Sequence, residues 1–242
     1  MSLTPAVVRM PEDVRRCLEP GRYVDSAHPA VREAAARVAP GAHGVDKARA
    51  LYEQVRDRIG YCSIPPGRAI SMGAYLRDKE TYRASSVLAE GHGFCVSKAS
   101  LLTALARASG IPARVAFADV VNHHHTGRRL RAATGTDVFA WHGYSELWLE
   151  GRWVKATPMF HRTLCERLGV EPTDFDGRGD ALLPDRDRRG AAFFSYAARH
   201  GSFHDVPALF LTTQIPQRYP GLDEYRQLAD PAQGPGGGPT RP

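Results

Sequence analysis

The sequence has no C-x-x-C pair, no internal repeat and no block of like charge. It also lacks an apolar run approaching the roughly 18 residues that a membrane-spanning helix needs. Cysteine is scarce: Cys17, Cys62, Cys95 and Cys165 are all there is. Without paired spacing, neither a zinc knuckle nor a thioredoxin-type redox site is indicated. Residues 1–11 show no continuous apolar core, so no signal peptide is expected. A cytoplasmic, reducing location with free thiols is the corresponding expectation. The net charge of +6 comes mostly from arginines scattered along the chain rather than gathered in one patch. No nucleic-acid motif accompanies them, so neither nucleic acid nor a membrane is expected as a partner.

What is present suits a globular protein. A hydrophobic content of 43% in 242 residues is enough to bury a sizeable core. Helical spacing predicts a short helix over Pro11–Leu18 and longer ones over Pro29–Val38 and Val45–Ile59. Residues 61–84, with Pro65-Pro66-Gly67, read as a long surface loop, and Ser85–Leu88 as a helical turn. A helix then starts near Cys95 and stops at Gly110-Ile111-Pro112. Ala113–Val121 reads as a strand and Asn122–Thr136 as an exposed loop. His142–Leu149 and Arg152–Thr157 read as a hairpin joined by Glu150-Gly151. His161–Leu168 reads as a helix, Val206–Thr213 as one more strand and Asp223–Leu228 as a short final helix. Residues 170–205 have weak periodicity, and the Pro/Gly-rich tail 230–242 reads as disordered. Helices first and antiparallel strands after them argue for an α+β fold, with the Cys95 helix packed on the sheet.

Cys95 follows Gly91-His92-Gly93-Phe94 at a helix start. Unpaired N–H groups and the positive dipole end favour a thiolate there. The same groups can serve an oxyanion, and the glycines would admit a substrate backbone. His142 is a candidate base for that thiol. If Glu150-Gly151 is a two-residue turn, Leu149 faces Arg152 and Tyr144 faces Thr157. Thr157 then lies diagonal to His142 and is placed to fix its tautomer by a hydrogen bond. The His123-His124-His125 run could feed a metal site only if its loop departs from strand alternation.

The segment Gly91-His92-Gly93-Phe94-Cys95 with Leu101-Leu102, Arg107 and Gly110-Ile111-Pro112-Ala113-Arg114 resembles the cysteine segment of the transglutaminase-like superfamily. His142–Trp153 resembles its histidine strand and hairpin, so the resemblance covers roughly residues 85–160. It implies a papain-like α+β core and a triad with Cys95 as nucleophile and His142 as base. Thr157-Pro158 stands where the family usually has Asp-Pro. Asp119, Asp137 and Asp205 are then alternative acids, and Gly93, Phe94, Trp141 and Tyr144 are candidates for substrate or oxyanion contacts.

The expectation is a single domain over 1–229, with a helical N-terminal region over 1–84, a catalytic core over 85–160 and a C-terminal elaboration over 161–229. The expected function is thiol-dependent acyl transfer or hydrolysis through an acyl-thioester on Cys95, with no cofactor and no metal. Its partner would be an amide, ester or thioester acyl donor. The alternatives are a non-catalytic binding module and a metal-dependent hydrolase built on His123–His125.

Overall fold

The computed structural model describes residues 10–61, 70–124, 131–132 and 134–225. Helices α1 (Glu12–Arg16), α2 (Pro29–Arg37) and α3 (Gly44–Arg58) come first. Strand β1 (Gly60–Tyr61), α4 (Met72–Arg77), a 3-10 turn (Lys79–Tyr82) and α5 (Ala84–Glu90) follow. Then come β2 (His92–Gly93), α6 (Cys95–Ala108), β3 (Ala113–Asn122), β4 (Val138–Leu149) and β5 (Arg152–Ala156). The chain closes with α7 (Arg162–Leu168), β6 (Phe194–Phe203), α8 (Ala208–Arg218) and a 3-10 turn (Pro220–Asp223). The main sheet is antiparallel in the order β5-β4-β3-β6, and α6 packs on β4 and β3. The molecule is thus of the α+β class, with the cysteine-bearing helix central.

Helix α6 is buried from Val96 through Arg107, around its whole circumference. Its polar members tolerate this because each holds a neighbouring segment. Ser97 donates to the Thr81 carbonyl, Lys98 to those of Arg56 and Ile59, and Ser100 to that of Tyr23. Thr103 donates to the Ser145 hydroxyl. Arg107 donates to the carbonyls of Ala113, Glu19 and His204. The helix is therefore a fixed axle rather than an amphipathic surface element. Gly110, in the left-handed region at φ +76°, ends it as the sequence indicates.

The hairpin has the expected register. Leu149 opposes Arg152 and Ser145 opposes Ala156, with Glu150 and Gly151 both at positive φ. Two positive φ values define the turn type whose twist matches the strands.

Four expectations are corrected. Val206–Thr213 is no strand: Ala208, Leu211 and Ile215 are buried positions of α8 at helical spacing, with Pro216 buried beside them. The loop expected over 61–84 contains α4 and a 3-10 turn, held by Tyr75 and Tyr82 packing on Phe94, while residues 62–69 lie outside the described set. The weakly periodic 170–205 contains the connection that follows α7 and the whole of edge strand β6, whose alternation is broken by irregularities against β3. Residues 226–242, including the expected tail, also lie outside the described set. The final helix expected at Asp223–Leu228 is, where described, the 3-10 turn Pro220–Asp223.

Candidate active site

Cys95 is the first residue of α6, and no side chain caps that helix start. Phe94, in extended conformation, occupies the cap position. The free N–H groups of the first turn are therefore available to the sulfur and its surroundings. The thiol is half-buried, and burial pushes it up to about 11, against the pull of the Gly143 and Val96 backbone N–H groups. Gly143 is the residue after His142. The cysteine helix and the histidine strand are thus joined at the sulfur itself. Glycine makes the approach possible: a Cβ at Gly143 would lie 2.9 Å from the Val96 Cα and force strand and helix apart.

His142 is only 3% exposed, and burial alone lowers its pKa to about 3. Its Nε2 is sealed from solvent and has no hydrogen-bond partner among the described residues. The Thr157 hydroxyl is also sealed and makes no hydrogen bond of ordinary geometry among the described residues, although it lies near enough to the Tyr196 phenol to act on it. The hairpin register is as expected, yet the hydrogen bond expected from it is not formed. A threonine hydroxyl sits one bond from its Cβ, and here it does not reach the ring. The Tyr196 ring stands edge-on to His142, with centroids 6.1 Å apart, and edge-on to Tyr144 at 6.4 Å. Burial pushes the Tyr196 phenol up to about 12, against the pull of the Leu183 N–H and the Thr157 hydroxyl. Tyr196 walls the imidazole in; its position in the weakly periodic 170–205 gives no signal for it.

The three alternative acids serve elsewhere. Asp205 accepts from the backbone N–H groups of Arg22 at 2.7 Å, Val24 at 2.8 Å and Tyr23 at 3.2 Å, and so ties down the N-terminal segment. Asp137 pairs with Arg131 at 3.0 Å near the surface. Asp119 Oδ1 lies 2.7 Å from His200 Nε2 and accepts the Trp141 N–H at 3.0 Å. None of the three bonds the sealed Nε2 of His142.

Asp119 has a different task. Between the pairs Ala118–His142 and Val120–Phe139, β4 carries one residue more than β3, a bulge. Trp141 there has φ +60°, an unusual value for a bulky residue. The Asp119 carboxylate holds the N–H of that residue, and the Trp141 ring stacks on His200 at 4.2 Å with Phe210 edge-on at 4.7 Å. Trp141 is therefore a fixed strand corner next to His142. Its neighbour His200 carries no signal in the sequence, because the weak periodicity of 170–205 conceals strand β6.

Of the other expected contacts, Phe94 is buried between Tyr75 and Tyr82 and faces the core, not a substrate. Tyr144 is buried against Tyr196. Gly93 packs against its own chain, since a Cβ there would meet the Ser97 Cβ at 2.8 Å. Its small size serves that packing rather than substrate access. Gly91, at φ +67°, caps α5. Cys17 and Cys165 are buried free thiols, raised by burial, and Cys62 lies outside the described residues. His123 bonds the Ser195 hydroxyl and His124 packs on Phe193, while His125 lies outside the described residues. Among the described residues no group of three or more His, Cys, Asp or Glu side chains is arranged to hold a metal ion.

Comparisons with known proteins bear on this arrangement. No curated protein matches the chain. Among solved structures, a candidate cysteine protease from Cytophaga hutchinsonii shares 18% identity at a TM-score of 0.52. The alignment covers 86% of this chain and 53% of that one. A candidate protease from Parabacteroides distasonis gives a TM-score of 0.37 at 17% identity, covering 59% of this chain and 24% of its own. The periplasmic domain of TgpA from Pseudomonas aeruginosa, bound to ethylmercury, gives 0.25 at 18% identity, covering 60% of this chain and 54% of its own. The chain thus spans about half the length of the first of these, and that likeness supports the shared fold alone. The profile of the transglutaminase-like superfamily matches residues 32–158, a span that takes in both Cys95 and His142. That span is more than half of the chain, which therefore belongs to the transglutaminase-like superfamily.

Proposed function

We propose that this protein is a thiol-dependent acyl-transfer enzyme, with Cys95 as nucleophile and His142 as base. The observation that carries the reading is the convergence of the Val96 and Gly143 N–H groups on the Cys95 sulfur, one residue from His142. A thiolate is favoured by such donors and by the start of a helix. With Nε2 sealed, Nδ1 is the ring nitrogen left to take the thiol proton. Sulfur then attacks an acyl carbonyl, and uncapped N–H groups of the first turn of α6 are donors for the developing oxyanion. Collapse expels the leaving group and leaves an acyl-thioester on Cys95. Water or an amine then takes the acyl group and restores the thiol. Such chemistry requires a free thiol, which suits a reducing compartment.

Labelling with a thiol-directed electrophile tests this. Cys95 is expected to react faster than Cys17 or Cys165, and about 10²-fold more slowly in His142→Ala, the low end for loss of a general base. Slow labelling equal to that of the buried thiols, and unchanged in His142→Ala, would instead favour a binding module. The unpartnered His142 Nε2 is the observation that keeps that second reading in play.

A further inference from the structure

Resting on the reading of Cys95 as nucleophile, we infer that the acyl donor this site takes is a thioester rather than an amide. The geometry behind this is the wall around His142. Among the described residues the sealed Nε2 meets no carboxylate, the hydroxyl of Thr157, just past the end of β5, makes no bond to it, and both residues are at least 97% buried, at 3% and 2% exposure. The aromatic group against the ring is Tyr196, itself packed on Tyr144, and burial pushes both phenols up so that both are neutral. Glu146, further along the same face of β4, is taken by Arg114 and Ser202. Asp119, one residue beyond the Ala118 that opposes His142, points to the other face and is taken by His200 and Trp141. The only acidic residue outside the described set is Asp230.

An imidazolium at this place would be a buried cation with one N–H unpaired and no anion facing that side among the described residues. The depressed pKa of His142, near 3, has the same origin. The two classes of donor demand different things of that cation. An amide breaks down only if its nitrogen is protonated as it leaves, since an amide anion is far too basic to depart. The imidazolium must therefore persist and act as general acid. A thioester expels a thiolate, whose conjugate acid has a pKa of about 8.5, so no proton is needed at departure. The balanced step is R–CO–SR′ plus the Cys95 thiol giving R–CO–S–Cys95 plus R′SH. The C–S bond to R′ breaks as the C–S bond to Cys95 forms, and the Cys95 proton passes through His142 or solvent to R′S⁻. Transfer to an amine then gives an amide and regenerates the thiol, with no oxidant or cofactor consumed.

The test uses the full chain and one pair of scaffolds across a panel of acyl groups from acetyl to octanoyl. One arm is the N-acetylcysteamine thioester. The other is the matched amide, in which NH replaces the thioester sulfur. Acylation of Cys95 is followed by intact-protein mass, with Cys95→Ala as blank. The thioester is expected to acylate Cys95 while the amide does not detectably do so. In Thr157→Asp, which puts a carboxylate at the position diagonal to His142 across the hairpin, the thioester-to-amide ratio is expected to fall by about 10²-fold, because the general acid becomes available. Thr157→Asn and the wild-type ratio decide the matter if Thr157→Asp does not fold. Amide acylation within tenfold of the thioester, or no thioester acylation across the panel, would overturn the inference. Failure of the underlying reading looks different: Cys95 then labels slowly with the electrophile regardless of His142.

Discussion

His142 and His200 lie on the two strands that flank β3, and their surroundings are opposite. His142 opposes Ala118 and is sealed, with no partner for its Nε2 among the described residues. His200, in an irregular stretch of β6, has its Nε2 on Asp119 and its ring on Trp141. One step along β3 separates Ala118 from Asp119, and one step changes the face of a sheet. The sheet therefore does contain a histidine–aspartate pair, but it lies on the face away from the His142 ring. That pair holds the bulge at Trp141. The sealed histidine is left as a neutral base with little capacity to hold charge.

The largest effect expected from this contrast is on stability in acid. The folded pKa of His142, about 3, lies below its unfolded value of about 6.5. Below pH 6.5 the unfolded chain takes up a proton that the folded chain refuses. His142 therefore costs stability as pH falls from about 6.5 to about 3, at up to about 1.4 kcal/mol per pH unit. Denaturant unfolding of wild type and His142→Asn across that range should show the slope in the first and its loss in the second. Equal slopes would mean that His142 is not held neutral.

A middling effect is expected at Asp119. Asp119→Ala removes the acceptor of the Trp141 N–H and of His200, and should destabilise by about 1–3 kcal/mol. Asp119→Asn retains an oxygen for the Trp141 N–H and should recover some of the loss, read as the denaturant midpoint. If Asp119→Ala instead abolished Cys95 labelling with stability intact, Asp119 would belong to the chemistry and the contrast would fail.

The smallest effect is expected at Thr157. Thr157→Val removes a hydroxyl with no hydrogen bond of ordinary geometry, so stability should change by no more than about 1 kcal/mol and Cys95 labelling should hold its wild-type rate. A large drop in labelling would restore Thr157 as the group that orients His142.

Much of this is legible in the sequence because it is local. Gly110 and Pro112 mark the end of α6, and Glu150-Gly151 sets the hairpin register that places Thr157 beside the histidine strand. What is not legible depends on tertiary pairing. Strand β6 carries Gly201, small side chains and two breaks in register, and its positions are mostly exposed, so no alternation shows. Helix α8 reads as an apolar strand until its buried face at Ala208, Leu211 and Ile215 is known. The Thr157 hydrogen bond fails for a finer reason. Register fixes which residues are neighbours but not whether a short side chain spans the gap. The role of Asp119 is hidden because the bulge at Trp141 cannot be seen without β3 beside it.

The most direct measurement of the central claim, a Cys95 thiol served by a neutral imidazole, is the pH profile of Cys95 alkylation in wild type and His142→Ala. Burial of both groups gives an expected wild-type rate that climbs steadily from neutral pH toward about 11, with no plateau near neutrality, and that stays above the variant's throughout the neutral range. A plateau spanning about pH 5 to 8, the mark of a thiolate–imidazolium pair, or profiles that coincide in the two proteins, would contradict it.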